Sequence, residues 1–451
     1  MTSSAFLVLL LIIPLFGMAI AFAAPFFAGK RGPLIAESAH VVSVSALAVI
    51  ACVVAAIVVA DGAVFALGRW LHVDAFAAIV VVLIGVIGLL TGVYSLGYIR
   101  HGLASGAINP NQLCRYYGLF NLFLFTMLCA VTANNIILMW AGIEATTLGS
   151  TFLVGFYGKR ESLEAAWKYV IICTVGVGLG LYAAVLVYAE AAAVLPNPAD
   201  AALWTSILPD AGSFDPGVMR LAFVFALVGF GTKAAIFPMN AWQADADSEA
   251  PSPVAGLLSG VLTTCALFVL VRFSTITTAA TGPGLPHALF VFFGALSIAV
   301  CALLIFVQTD IKRLLAYSTT ENVGMIVLGF GIGGRVGVAG AILHMINHSF
   351  VKTLMFCGSG NILMKYGTRD LRVVKGLTKI APVTGLILMA GALALSGAPP
   401  FNLFVSEFMV ITAGFGAGYG WLMVIVVCFL TVTLTALTRS EERRVGKECR
   451  L

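Results

Sequence analysis

The stretch LVGFGTKAAIFPMNAWQADADSEAPSP, residues 227–253, carries a lysine inside an apolar run that glycines and a proline interrupt. Gly229, Gly231 and Pro238 disfavour a continuous helix around Lys233. A charged side chain at the centre of a bilayer costs about 2.5–3.5 kcal/mol or more unless it is paired or hydrated, so such residues mark functional pathways. The stretch predicts a broken transmembrane helix with a functional lysine at the break; a lysine that snorkels to the interface is the alternative.

The composition of the whole chain excludes an ordinary soluble domain. Of 451 residues, 61% are hydrophobic and 10% are charged, against about 45–50% and 25% in soluble domains. Apolar runs recur along nearly the whole chain, and the loops between them are too short to form a domain. We therefore expect an all-α, polytopic membrane helix bundle over residues 1–438, surrounded by lipid and without a nucleic-acid partner. About thirteen transmembrane helices are predicted, near 4–28, 33–60, 74–99, 116–132, 134–157, 163–190, 218–239, 252–274, 287–307, 313–333, 336–364, 381–413 and 419–438.

A second broken helix is predicted in ALSGAPPFNLFVSEFMV, residues 394–410. Pro399 and Pro400 interrupt the twelfth span, and Glu407 follows them. The first broken helix is the seventh span, so the two lie five spans apart and cross the membrane in opposite directions. This pattern is typical of inverted repeats of five helices, here spans 4 to 8 and 9 to 13.

Two further acids lie within predicted spans. Glu144 is in the middle of NNIILMWAGIEATTLGSTFLVGF, residues 134–156, among threonines and a serine. Glu321 lies in LAYSTTENVGMIVLGFG, residues 315–331. Both are candidate proton-transfer residues. The alternatives are a protonated, hydrogen-bonded carboxyl at Glu144 and a structural group near the inner interface at Glu321.

A file of titratable groups lies in HMINHSFVKTLMF, residues 344–356. His344, His348 and Lys352 are spaced i, i+4 and i+8, which places them on one helix face at steps of about 40°. Such a file could exchange protons. The HxxxH pair could instead hold a metal in a membrane metalloenzyme, but it is not HExxH and the helix offers no obvious carboxylate ligand.

No cofactor, metal or catalytic centre is predicted for this chain. The nine cysteines are scattered, almost all inside apolar runs, and show no zinc or iron–sulfur spacing. No dinucleotide, flavin or phosphate-binding motif occurs in a suitable context. Electron transfer would therefore belong to partner subunits.

The distribution of basic residues predicts the orientation. With the N-terminus outside, cytoplasmic loops hold fourteen Lys and Arg residues, among them Lys312, and the outer side carries four, among them Arg272. The final string TRSEERRVGKECRL, residues 438–451, is unlike anything before it. We interpret 439–451 as a foreign tail that replaces missing C-terminal helices; a native basic cytoplasmic tail is the alternative.

Several segments together resemble the antiporter-like subunits of respiratory complex I and Mrp antiporters. Within that superfamily they look closest to hydrogenase-4 component F, a membrane subunit of energy-converting nickel–iron hydrogenases such as formate hydrogenlyase. The segments are IEATTLGSTFLVGFY (143–157), SLEAAWKYVIICTVG (162–176), GFGTKAAIFPMNAWQADADSEAPSPVAGLLSG (229–260), QTDIKRLLAYSTTENVG (308–324), HMINHSFVKTLMFCGSGNI (344–362) and GAPPFNLFVSEF (397–408). The resemblance implies a multi-pass protein of the prokaryotic inner membrane.

The resemblance also implies roles for individual residues. Glu144 and Lys233 match the acid and lysine of a first half-channel, and Glu407 matches the terminal ionisable group. The histidine and lysine file of residues 344–352 matches the central relay helix. One position departs from the pattern, since relatives usually carry Lys or His on the eighth helix. Residues 257–268 offer the hydroxyls of Ser259, Thr263 and Thr264 instead, which would have to hold water.

Three functions are compatible with these residues. The favoured one is a proton-translocating, non-redox subunit of a hydrogenase-4/formate hydrogenlyase-like or NADH-quinone oxidoreductase-like complex. It would work with other membrane subunits and with peripheral redox subunits. The second is an Mrp-like antiporter that exchanges Na⁺ or another cation for protons, or the membrane half of an inorganic-carbon uptake pair. The third is a metalloenzyme that uses the HxxxH pair.

Overall fold

The computed structural model describes residues 3–27 and 29–445, apart from the side chains of residues 30 and 439–445. The helices of the first part are α1 (Ser3–Phe27), α2 (Gly32–Asp61), α3 (Ala75–Ala104), α4 (Pro110–Thr132), α5 (Ile136–Val154), α6 (Arg160–Val194), α7 (Trp204–Asp210), α8 (Pro216–Lys233) and α9 (Gln243–Glu249). Those of the second part are α10 (Ser252–Leu257), α11 (Thr263–Thr281), α12 (Gly284–Val307), α13 (Ile311–Ile332), α14 (Gly334–Tyr366), α15 (Leu377–Ile380), α16 (Pro382–Leu395), α17 (Asn402–Gly416) and α18 (Gly420–Val445). A π-helical segment, Leu258–Leu262, joins α10 to α11.

A short hairpin lies between α2 and α3. Its strands are β1 (Val64–Ala66) and β2 (Leu71–Val73), which pair antiparallel with Phe65 opposite His72. Asp74 follows the hairpin and caps α3, since its side chain accepts a hydrogen bond from the Ala77 amide at 2.9 Å. The cap fixes the point at which the chain turns from strand to helix.

The polytopic helical class predicted from the sequence is confirmed. Ten helices in the described part of the chain are long and apolar enough to cross a membrane. Each of the thirteen predicted spans coincides with a helix or with a broken pair of helices. The total of thirteen crossings and the inverted repeats remain predictions.

Both segments predicted to break do so. The first helix ends at Lys233, and the chain passes through Ala235, which has a φ of 59°, before α9 begins at Gln243. The second helix ends at Leu395 and resumes as α17, with Gly397 at a φ of 66° between them. Glycine adopts this left-handed conformation at little cost, which suits the tight turn.

The chain clusters into two compact units, each built from two stretches. The first unit runs up to Ala234 and includes Val261–Pro286; the second holds Ala235–Gly260 and the chain from His287 onward. Small residues let helices approach closely in the first unit, where a Cβ atom on Gly176 would lie 2.6 Å from Thr232 Oγ1. A Cβ atom on Gly229 would lie 2.7 Å from the Cα atom of Gly180, so at this point the α6 and α8 backbones contact each other directly.

Two basic residues that the orientation prediction counts are buried within helices. Arg272 is 6% exposed within α11, and Lys312 is 2% exposed in the first turn of α13. Arg272 donates to Asp74 at 2.7 Å, and Lys312 donates to the carbonyl of Ser248 at 3.0 Å, so each charge has a polar partner. The predicted tail, 439–451, lies outside the residues whose side chains are described.

Candidate functional site

Lys233 is wholly buried at the C-terminal end of α8. Its ammonium group donates hydrogen bonds to Thr147 Oγ1 at 2.8 Å and to the Tyr169 hydroxyl at 2.6 Å. The nitrogen also lies 4.5 Å from the centre of the Tyr169 ring, a cation–π distance. The Tyr169 hydroxyl in turn bonds to the hydroxyl of Ser150 at 2.7 Å. Hydroxyls of α5 and α6 thus surround the charge.

Glu144 lies on α5, three residues before Thr147 and on the same helix face. Its Oε1 atom accepts a hydrogen bond from Thr174 Oγ1 on α6 at 2.9 Å, whereas its Oε2 atom is buried without a hydrogen-bond partner. Residues of α5 and α6 therefore hold both the acid and the lysine. A carboxylate in this position favours the charged form of a neighbouring ammonium group.

The file predicted on α14 faces the protein interior. His344, His348 and Lys352 all have 0% exposure. For His344, Nδ1 lies 2.9 Å from Ser406 Oγ and Nε2 lies 3.1 Å from Asn322 Oδ1, so both ring nitrogens have partners. The Lys352 ammonium donates to the carbonyl of Leu315 at 3.0 Å. The three groups avoid lipid, as a relay requires.

The two remaining predicted acids are also buried in the second unit. Glu321 is 2% exposed; its Oε1 atom accepts a hydrogen bond from Thr433 Oγ1 at 2.6 Å, and its Oε2 atom has no hydrogen-bond partner. Glu407 is 8% exposed, and a Cβ atom on Gly397 would overlap its Oε2 atom. The carboxylate of Glu407 therefore lies against the backbone of the break between α16 and α17.

The predicted hydroxyl positions differ in their setting. Ser259 lies in the π-helical segment, and Thr263 and Thr264 lie in the first turn of α11; all three are buried. The boundary between the units follows Gly260. Ser259 Oγ donates to Asp247 Oδ2 at 2.6 Å.

Sequence reasoning missed Asp247 and Tyr169. Asp247 is wholly buried on α9, which lies between the predicted spans 218–239 and 252–274. The sequence signal was a short QADADSE segment that could form a polar helix. Tyr169 carries no signal of its own, because its contact with Lys233 joins residues 64 positions apart.

The described residues offer no cluster of ligands for a metal site at the HxxxH pair. Among them, no group of three or more His, Cys, Asp or Glu side chains could hold a metal ion. His344 is bonded to a serine and an amide oxygen, and His348 Nε2 lies 3.2 Å from the carbonyl of Ser259.

Comparison with known proteins identifies the family. The family described as "NADH:quinone oxidoreductase/Mrp antiporter, TM" matches residues 133–433. The "Hydrogenase-4 component F homolog" of Methylacidiphilum infernorum (isolate V4) is 37% identical over 353 residues, which cover 77% of this chain and 73% of that protein. This chain belongs to the NADH:quinone oxidoreductase/Mrp antiporter family.

Two further comparisons show how much of this chain and of each similar protein the similarity covers. "Hydrogenase-4 component B" of Escherichia coli (strain K12) is 31% identical over 350 residues, which cover 75% of this chain but 50% of that longer protein. A chain of the membrane-bound sulfane sulfur reductase, an archaeal respiratory membrane complex, superposes with a TM-score of 0.86 at 23% identity, covering 98% of this chain and 90% of that one. The latter likeness shows the fold. Every candidate residue, from Glu144 to Glu407, lies within the family match.

Proposed function

We propose that this member of the antiporter family is a proton-translocating, non-redox membrane subunit of a hydrogenase-4-like or NADH-quinone oxidoreductase-like complex. The observation that carries the proposal is the wholly buried Lys233, held by the hydroxyls of Thr147 and Tyr169. A hydroxyl accepts a hydrogen bond from an ammonium group and donates one to a neutral amine. The site therefore accommodates lysine with and without its extra proton.

Glu144 supplies the control of this lysine. Burial disfavours the ammonium form of Lys233, and an ionised carboxylate nearby favours it. Moving or neutralising Glu144 therefore promotes release of the proton, and restoring its charge promotes uptake. A remote redox reaction couples to proton movement when it shifts such a two-state pair.

The second unit supplies further proton-binding groups in this proposal. His344, His348 and Lys352 form a relay on α14, Glu321 is an additional acid beside it, and Glu407 is the terminal carrier at the break before α17. Their burial supports these roles, because titratable groups within membrane spans almost always face the protein interior or a water-filled cavity, where they mark ion and proton pathways. Thr263 and Thr264, with Ser259, are proposed to hold water for proton passage.

The proposal also covers surroundings and partners. We infer that residues 1–438 act as one antiporter-like domain in a prokaryotic inner membrane, with the N-terminus outside. Other membrane subunits and peripheral redox subunits would supply electron transfer, and protons, with Na⁺ as the alternative ion, would be the transported species. Copurification of the complex, followed by identification of its subunits, tests the partners.

Substitution of Glu144 tests the function in the assembled complex. We expect Glu144→Gln to reduce proton uptake during turnover by about tenfold or more, because it removes the charge and keeps the side-chain volume. The measurement is quenching of a pH-sensitive dye in sealed vesicles. Glu164→Gln is the control, since Glu164 is 60% exposed on α6 and pairs with Lys168 at 2.8 Å.

The outcomes separate the proposed function from its alternatives. Unchanged uptake in Glu144→Gln vesicles, with the complex assembled, contradicts the proposal. Uptake that needs a Na⁺ gradient and no redox substrate indicates an Mrp-like antiporter. Metal that copurifies with the chain and is lost when His344 and His348 are both replaced by Ala indicates the metalloenzyme.

A further inference from the structure

Asp247 is a buried carboxylate with an open oxygen atom. The residue has 0% exposure on α9, and its Oδ2 atom accepts the hydrogen bond from Ser259 Oγ at 2.6 Å. Its Oδ1 atom meets no donor at hydrogen-bond geometry; the side-chain amide of Gln243, whose Nε2 atom is likewise without a partner, also acts on the carboxylate. Two ammonium groups act on it electrostatically, those of Lys312 and Lys352, but they donate to the carbonyls of Ser248 and Leu315. Binding a proton lowers the free-energy cost of burying a carboxylate that has no direct ion pair.

His348 offers the complementary open atom. Its Nε2 atom lies 3.2 Å from the carbonyl oxygen of Ser259, which can only accept, so Nε2 carries the hydrogen. The neutral ring then has its lone pair on Nδ1, and Nδ1 is buried without a hydrogen-bond partner. The tautomer follows from the hydrogen bond, and it leaves Nδ1 ready to accept a proton.

One residue of the π-helical segment holds both groups. Ser259 binds Asp247 through its side chain and His348 through its carbonyl. The next carbonyl, that of Gly260, accepts a hydrogen bond from Ser349 Oγ at 2.6 Å. Two successive carbonyls of the segment thus bond to side chains of α14, which anchors the acid and the imidazole. Segments of π-helix inside α-helices are frequent at functional sites.

We propose that Asp247 and His348 form a proton-binding pair positioned by Ser259. In one state the proton is on Asp247 Oδ1 and the imidazole is neutral. In the other, the Oδ1–H bond has broken and an Nδ1–H bond has formed by way of intervening water, which leaves a carboxylate and an imidazolium. The net charge of the pair is zero in both states, and no oxidation or reduction occurs. This inference rests on the proposed function for its role in transport.

Infrared spectroscopy and proton uptake of the intact complex test the pair together. We expect the difference spectrum of wild type minus Asp247→Asn to contain the carbonyl band of a protonated carboxyl group, shifted in D₂O. Asp245→Asn is the control; it lies on the same helix but is ion-paired to Arg313 at 2.6 Å and should give no such band. Proton uptake should fall at least tenfold in Asp247→Asn and change less than twofold in the control.

Other results would overturn the proposed pair or the proposed function. Absence of the band, or unchanged uptake in Asp247→Asn, overturns the proposal. If the Asp247→Asn complex does not assemble, the Ser259→Ala variant replaces it, because that variant keeps the acid and removes one hydrogen bond. A shifted carboxyl band with reduced proton uptake in Ser259→Ala supports the pair. An unshifted band overturns the proposal. If the wild-type complex takes up no protons, the proposed function fails, whereas the infrared band still decides whether Asp247 binds a proton.

Discussion

At the scale of single residues, the setting of Lys233 depends on Tyr169. The hydroxyl of Tyr169 accepts from the buried ammonium group at 2.6 Å and bonds to Ser150 at 2.7 Å. Hydrogen bonds to charged groups contribute about 1.5–3 kcal/mol. We expect Tyr169→Phe, which keeps the ring, to lower proton uptake about tenfold or more by disfavouring the protonated lysine. The measurement is uptake by vesicles that hold the assembled complex.

Tyr182 provides the control for this substitution. It lies on the same helix, is 49% exposed, and makes a T-shaped ring contact with Phe225 that phenylalanine preserves. Tyr182→Phe should therefore retain wild-type uptake. Equal activity of the two variants would show that the hydroxyl of Tyr169 has no part in transport.

Single residues also show how much of the candidate site could be predicted from the sequence. Lys233 and the file on α14 could be predicted, because an isolated charge in an apolar run and a spacing of four are visible in the sequence. Asp247 and Tyr169 could not, since burial and hydrogen bonding of these residues depend on helices distant in the chain. The burial of Lys312 could not be predicted for the same reason, because its partner carbonyl belongs to Ser248, 64 residues away.

At the scale of elements, the pair Asp74–Arg272 ties the start of α3 to α11. The Arg272 guanidinium donates to Asp74 Oδ1 at 2.7 Å and lies 4.0 Å from the ring centre of Trp204. We expect Asp74→Asn to lower the free energy of unfolding by about 1.5–3 kcal/mol, because it leaves Arg272 buried without its counter-charge. Asn still caps the helix. Thermal unfolding in detergent measures the loss, with Asp215→Asn, an exposed cap on α8, as the control.

The same pair sets a pH dependence. Burial alone would raise the pKa of Asp74, but the hydrogen bond and charge of Arg272 outweigh burial and hold the pKa below its ordinary value of 3.8. The stabilisation is therefore fully present above that value and is lost as the pH falls through the lowered pKa of the folded state. The stability difference between wild type and Asp74→Asn should stay constant from about pH 8 to pH 5 and shrink in stronger acid.

At the break between α16 and α17, the absence of a side chain on Gly397 leaves room for the Glu407 carboxylate. A Cβ atom on Gly397 would overlap the Glu407 carboxylate. We expect Gly397→Ala to displace that carboxylate and to reduce proton uptake as strongly as Glu407→Gln does. Gly418→Ala is the matched control: Gly418 has a φ of 87° but nothing within 4 Å of the added atom, so it reports backbone strain alone. Equal uptake of the two glycine variants contradicts a role for the Gly397 contact.

Helices and breaks were more predictable than the connections between helices. Long apolar runs and prolines determine where α8 and α16 end, so the sequence locates both breaks. The π-helical segment was not predictable, because its carbonyls are satisfied by His348 and Ser349 from another part of the chain. The same dependence on distant partners explains why the sequence could suggest Ser259 as a polar link but not its acid partner.

At the scale of the whole molecule, the two compact units each bury titratable groups while large apolar side chains lie on the surface. Phe27 and Trp421, for example, are 89% and 85% exposed. An apolar exterior suits lipid or neighbouring subunits, and a polar interior suits ion movement. This distribution supports the proposed transport role.

Proton uptake by a complex that carries Lys233→Met shows whether the buried lysine of α8 is needed for transport. Lys168→Met is the matched control, since Lys168 is 48% exposed on α6 and pairs with Glu164. Both complexes should assemble and oxidise substrate once the proton gradient is released with an uncoupler. We expect uptake per electron transferred to fall in Lys233→Met vesicles and to stay at the wild-type level in Lys168→Met vesicles. An unchanged ratio of protons to electrons in Lys233→Met would contradict this expectation.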